Sequence, residues 1–344
     1  MLPGESDLVS ILVIALVPFA FVLILTPTVA SLLRKRNWLA KDVHKNDGRL
    51  VPSPAGPLLI SALIIGEALT FTFYQSIIPI VLIGVIAIAG LIGFLDDRRS
   101  LSGTLKPALL IFAAVPILVG GLAYPDLYSP RLYFPLFTST GTHFIIYGIL
   151  ILASIPVVSN AFNMMDAFNG EIAGFTLITS AALVVAILLR ASNFQDYSAV
   201  RLAIALPLVT VSLAFLFYNR YPSRVFDGDS GSLTFGAMYA ALAFICGIEF
   251  AALIAVIPAI MNAFYILSSL KRIVERRKIG VRPTFLRGDG KLQATGQPGA
   301  PTTLARMILL DGPLSEQQIV IRVFLLTAFS SGLSILTSIL TWLT

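Results

Sequence analysis

The chain has 344 residues, is 57% hydrophobic and 12% charged, and carries a net charge of +6. A mean hydropathy of +0.89 lies far above a soluble globular average and predicts a polytopic membrane protein. One cysteine, Cys246, excludes a disulfide framework, and the two histidines, His44 and His143, exclude a histidine-rich zinc centre.

The opening MLPGESD is polar and acidic. The apolar run behind it is too long for a signal-peptide core, so it is expected to stay as a transmembrane helix. Runs of about 20 apolar residues, enough to cross about 30 Å of hydrocarbon, lie at 8–33, 56–74, 77–95, 107–124, 143–159, 171–190, 199–218, 232–247, 249–270 and 319–343. They predict an all-α membrane protein of about ten transmembrane helices, one domain over 1–344, with a long polar loop at 271–318. The pairs 56–95 and 232–270 have short connections and read as helical hairpins.

Orientation follows from where Lys and Arg collect. With the N-terminus outside, the loops after helices 1, 3, 5, 7 and 9 are cytoplasmic. They hold every Lys and Arg from Arg34 to Arg49, then Arg98, Arg99 and Lys106, then Arg220 and Arg224, and finally the basic loop from Lys271 to Arg306. Of the 24 Lys and Arg, only Arg131, Arg190 and Arg201 fall on the other side. The positive charge is therefore read as topology, not as a nucleic-acid surface.

Three polar patches interrupt the apolar pattern, all in cytoplasmic loops: Leu95-Asp96-Asp97, the segment Asn160 to Gly170, and Phe226 to Ser232. Carboxylates and carboxamides at the edge of an apolar span are costly unless they bind something, and a hard cation shared with phosphates takes such oxygen ligands. Asp96-Asp97 closes one helix and Lys106 opens the next, which suits metal-assisted phosphoryl chemistry; the plain alternative is a helix end solvating itself. Asn160, Asn163, Asp166 and Asn169 recur at a spacing of three, more than interhelical glue requires, and Gly170 permits a close backbone approach. Phe226-Asp-Gly-Asp229-Ser-Gly-Ser offers backbone N–H groups to phosphate and a carboxylate to a cation, while Ser230 or Ser232 can cap the helix that follows. The basic first loop, Lys41 to Pro54, and the Gly/Pro/Gln-rich last loop, with Arg276, Arg277 and Arg282, read as topology or as phosphate contacts; the last loop is expected to be an irregular arm over the site.

The segments KDVHKNDGRLVP, LDDRRSLSGTLKP, NAFNMMDAFNG, YPSRVFDGDSGS and GPLSEQQ together resemble the polyprenyl-phosphate N-acetylhexosamine-1-phosphate transferases of glycosyltransferase family 4. YPSRVF and GPLSEQQ, with no histidine after His143, look most like the dolichyl-phosphate N-acetylglucosamine-phosphotransferase branch. Asp166 and GDSGS look bacterial, a mixture that suits an archaeal member. The resemblance implies transfer of N-acetylglucosamine-1-phosphate from UDP-N-acetylglucosamine to a polyprenyl or dolichyl phosphate, releasing UMP. It implies Mg²⁺, with Mn²⁺ as a substitute, held by Asn163 and Asp229, and catalytic roles for Asp96, Asp97 and Lys106, with Asp97 orienting Lys106. It implies substrate contacts from Lys45, Asn160, Asp166, Asn169, Gly170, Phe226, Arg276 and Arg282. It further implies a homodimer in a prokaryotic plasma membrane with the site facing the cytoplasm. The rivals are another UDP-N-acetylhexosamine or a UDP-muramoyl-peptide as donor, and, from a different class, a transporter or flippase.

Overall fold

The computed structural model describes residues 5–128, 130, 131, 143–193, 199–270 and 280–342. The apolar runs are helical: α1 (Glu5–Lys35), α2 (Gly56–Tyr74), α3 (Ile78–Arg99), α4 (Leu105–Leu110) and α5 (Val115–Ala123), which are joined through a 3₁₀ turn, then α6 (Phe144–Met165), α7 (Glu171–Asn193), α8 (Ala199–Ala203), α9 (Leu206–Asn219), α10 (Gly228–Ile245), α11 (Glu249–Ala255), α12 (Ile257–Leu270), α13 (Leu304–Ile308) and α14 (Glu316–Trp342). Pro57, Pro79 and Pro207 fall in the first turns of α2, α3 and α9, where a missing N–H costs nothing and the fixed φ suits a helix.

Among the described residues, eight helices are long and apolar enough to cross a membrane, or nine if α11 and α12 form one span bent by 64°. Pro258, in the first turn of α12, cannot continue the hydrogen-bond ladder across that break. The eighth expected span, 232–247, lies largely in α10. This helix opens on Gly-Asp-Ser-Gly-Ser, which dilutes its apolarity, and from Ser230 to Ile245 every residue is buried. It is the axis of the molecule, packed on α3 and α6 and flanked by α2. The glycines of the surrounding helices permit this. A Cβ on Gly93 of α3 would lie 2.5 Å from Ser230 Cα, and one on Gly56 of α2 would lie 2.6 Å from the Gly231 nitrogen.

The loops are more regular than their composition suggests. In the first loop β1 (Leu39–Lys41) pairs antiparallel with β2 (Leu50–Pro52). In the last, β3 (Thr284–Leu286) pairs with β4 (Leu292–Ala294), so this part of the expected irregular arm is a hairpin. Its turn is the Arg-Gly-Asp-Gly-Lys run: the Asp289 carboxylate accepts the Lys291 N–H at 3.1 Å, and Gly290 adopts a φ of +78°. Leu292, Leu309, Ile319 and Phe168 close a small apolar cluster that seats the hairpin over the start of α14.

Candidate active site

Four helix ends meet at one end of the bundle: the end of α3 with Asp96 and Asp97, the start of α4 with Lys106, the end of α6 with Asn163, and the start of α10 with Asp229. Lys106 Nζ donates to Asp96 Oδ2 at 2.6 Å, Asp229 Oδ2 at 2.7 Å and Asn163 Oδ1 at 3.2 Å. Asn163 Nδ2 donates in turn to Asp229 Oδ1 at 3.0 Å and to Ser232 Oγ at 2.9 Å. Residues spread over more than 120 positions thus share one ammonium.

Asp97 does something else. Its Oδ1 accepts the Asp229 N–H at 2.8 Å, while its Oδ2 accepts the Ser230 N–H at 3.0 Å and the Ser230 hydroxyl at 2.6 Å. These are the first free amides of α10, so Asp97 caps that helix from a neighbouring one and places negative charge at its positive end. The resemblance implies that Asp97 orients Lys106; the geometry gives that contact to Asp96. The reason is rotation about α3: successive side chains project about 100° apart, so only one of the adjacent acids can face α4. Nor do Ser230 and Ser232 cap α10. Ser230 donates to Asp97, and Ser232 accepts from Asn163 and donates to the Gly228 carbonyl.

Other expected residues are near but used differently. Asn160 turns its amide back onto the Pro156 carbonyl at 2.8 Å, one turn before Asn163. Asp166 ends α6 and lies close enough to Asp227 to act on its charge. Asp227 is buried, with one carboxylate oxygen lacking a hydrogen-bond partner. Burial first, then the carboxylates of Asp166, Asp97 and Asp229, push its carboxyl well above the usual range. Phe226 is half-buried, and its backbone ties the start of α10 to the first loop: its N–H donates to Pro52 O and its carbonyl accepts from Ala55 N, both at 2.9 Å. Arg282 is exposed just ahead of β3, and Arg276 lies outside the described residues.

Lys45 belongs to a second polar knot. It pairs with Glu316 at the start of α14 and with Asp42 at 3.3 Å, and its ammonium lies 4.4 Å from the centre of the Tyr221 ring. Asn169 is threaded through the same knot. Its N–H donates to Glu316 at 2.8 Å, its side-chain amide to Asp42 at 3.2 Å, and its oxygen accepts the Ser223 N–H at 2.7 Å. Gly170 adopts a φ of +83° and lets Arg220 approach: a Cβ there would stand 3.0 Å from Arg220 Cα. Ligand atoms of Asp42, His44 and Glu316 lie within 4.8 Å of one another, but Lys45 already supplies a cation to both acids. Asp42 and Glu316 had no role in the sequence reading. Their signal was position, since both sit inside segments that carry the family resemblance.

The first cluster can hold a metal. The oxygens of Asp96, Asp229 and Asn163 converge on the Lys106 ammonium, so two carboxylates share that one positive charge, and the Asp97 carboxylate lies beside them on the α10 amides. An all-oxygen, net-negative donor set fits a hard divalent cation such as Mg²⁺.

The comparisons agree with this geometry. The sequence model of the family described as Glycosyl transferase family 4 matches residues 79–247, which include Asp96, Lys106, Asn163 and Asp229. A Saccharolobus solfataricus protein provisionally named UDP-N-acetylglucosamine–dolichyl-phosphate N-acetylglucosaminephosphotransferase is 28% identical over 321 residues, 91% of this chain and 92% of its own. The Dictyostelium discoideum protein of the same name, without the proviso, is 27% identical over 86% of this chain and 80% of its own. A Borrelia turicatae phospho-N-acetylmuramoyl-pentapeptide-transferase is 28% identical over 75% and 79%. The family match thus carries the clustered residues over just under half of the chain, and these relatives extend the similarity along most of the sequence.

Proposed function

We propose that the protein transfers N-acetylglucosamine-1-phosphate from UDP-N-acetylglucosamine to a polyprenyl or dolichyl phosphate, the first lipid-linked step of glycan assembly. The observation that carries this is the meeting of Asp96, Asn163 and Asp229 on Lys106, an arrangement made for phosphate and cation. A phosphate oxygen of the lipid attacks the phosphorus that bears the sugar. The bond from that phosphorus to the bridging oxygen breaks, and UMP leaves with the electron pair.

Phosphoryl transfer asks a protein mainly for positioning and charge stabilisation. Lys106 supplies positive charge to the pyrophosphate, Asp96 aims Lys106, and Asp97 fixes the start of α10 so that Asp229 points at the same place. Asn163 and Asp229 would hold Mg²⁺, with Mn²⁺ as a substitute, and the bound ion supplies neutralisation of the charge growing on UMP. Near neutral pH the lipid phosphate is already largely anionic, so Asp96 serves as a base only if one is needed. The Lys45–Glu316–Asp42 knot holds the Asn169-Gly170 turn that forms the nucleotide rim.

The active end faces the cytoplasm in this proposal, supported by the basic residues at that end, among them Arg98, Arg220 and Arg224. A plasma-membrane homodimer is part of the same reading. The muramoyl-peptide donor stays as a second reading because the Borrelia relative acts in that class by name. Incubating the purified protein with sugar-labelled UDP-N-acetylglucosamine and dolichyl phosphate is expected to give organic-extractable label with Mg²⁺ and none with EDTA. Equal label in both would remove the metal from the account, and label only with UDP-muramoyl-pentapeptide would move the chain to the second reading.

A further inference from the structure

A cavity of about 430 Å³ opens on the outside of the bundle, away from the Lys106 cluster, between the end of α9 and the start of α14. Its floor is apolar: Phe217, Ile321 and Phe324. Phe324 is seated there because α7 carries Gly174 beneath it; a Cβ on Gly174 would stand 2.1 Å from the ring. Phe217 and Ile321 are 46% and 56% exposed, on helix faces that a bilayer would cover. Its rim is basic. Arg220 and Arg224 line it and are exposed, and neither has a carboxylate partner among the described residues. Arg224 also borders a second crevice of about 270 Å³ against α1, where Arg34 adds a third positive charge.

Arginines at a helix end follow from topology alone. Topology does not require two of them to converge on a slot whose floor is aromatic and aliphatic and opens sideways. An anionic head above with an apolar tail below is the chemistry that such a slot recognises, and basic pockets between transmembrane helices bind lipid headgroups in this way. We infer that this cavity is a binding site for an anionic membrane phospholipid, with the headgroup phosphate on Arg220 and Arg224 and an acyl chain along Phe217, Ile321 and Phe324. The inference concerns binding and stands or falls apart from the transferase reaction. Because Asn169 and Gly170 form the inner wall, the bound lipid would lie against the rim of the candidate active site.

The test is native mass spectrometry of the full-length protein in detergent, supplied with phosphatidylglycerol or phosphatidylcholine. One phosphatidylglycerol per chain is expected to be retained, and phosphatidylcholine is not. The double variant Arg220→Gln/Arg224→Gln should retain at least tenfold less. Ile321→Trp, which fills the slot from an exposed position and leaves both arginines in place, should do the same. Inorganic phosphate in millimolar excess should not displace the lipid. Equal retention by either variant, or equal retention of phosphatidylcholine, would overturn the inference. Displacement by free phosphate would make the site an anion site, and displacement by equimolar polyprenyl phosphate would make it an acceptor site; either result also overturns it.

Discussion

Lys106 has three oxygen partners, and the value of each differs with what its loss leaves behind. Removing Asp229 takes away a carboxylate that touches both the ammonium and the Asn163 amide. Asp229→Ala is expected to lower turnover by at least about 100-fold, the scale of losing about 2.7 kcal/mol of transition-state stabilisation, while the protein stays monodisperse. Near-normal turnover would refute the site. Asp227, two residues earlier, gives the opposite expectation. Burial and its acidic neighbours favour its neutral form, so Asp227→Asn keeps shape and charge, and activity within about threefold of the parent is the expected result. Asp97→Ala should show a third pattern: loss of the α10 cap, worth about 1–2 kcal/mol, seen as a lower melting temperature together with lower activity. Asp96 and Asp97 are equivalent as letters. Their separation into an ammonium partner and a helix cap depends on the rotation of α3 against α4 and α10, which sequence spacing does not contain.

At the scale of elements, the site is a convergence of helix ends, and that much was legible. Lys and Arg counts put the three polar patches on one side, and the meeting of Asp96, Lys106, Asn163 and Asp229 follows from it. What the pattern of apolar residues could not reveal is that α10 is a core helix, because lipid and protein interior favour the same side chains. Its evidence lay in the glycines of its neighbours. Gly93→Ala puts a methyl group within 2.5 Å of backbone in the first turn of α10. That shift should misplace Asp229 and cost activity as well as stability, whereas Gly288→Ala, in the β3–β4 hairpin turn with open space around it and no positive φ, should affect neither site nor activity. The β3–β4 hairpin is hard to tell from irregular backbone in the sequence because turn residues dominate its composition and its strands are only three residues long. The knot of Lys45, Asp42, Glu316 and Asn169 joins two loops with a helix start. Glu316→Gln leaves the Lys45 ammonium with Asp42 alone, and about a tenfold rise in KM for the UDP-sugar, with kcat little changed, is the expected signature of a displaced rim; unchanged KM would detach the knot from the nucleotide.

For the whole molecule, the number of spans and the direction of the chain are separate matters. Among the described residues helix lengths give eight spans, or nine with the bent pair, and α10, buried from Ser230 to Ile245, threads between them. Direction comes from charge. A cysteine at position 282 in right-side-out vesicles should react with a membrane-impermeant maleimide only after permeabilisation, and Cys246, which is buried, leaves little background. Labelling of intact vesicles would reverse the topology. What separates this reaction from plain glycosyl transfer is which bond breaks. The most direct measurement uses UDP-N-acetylglucosamine carrying ³²P on the phosphate next to the sugar, with dolichyl phosphate and Mg²⁺, and follows both label and nucleotide. The ³²P is expected to enter the lipid in equal amount to the UMP released. Release of labelled UDP with an unlabelled glycolipid would mean transfer of the sugar alone and would contradict the proposed reaction.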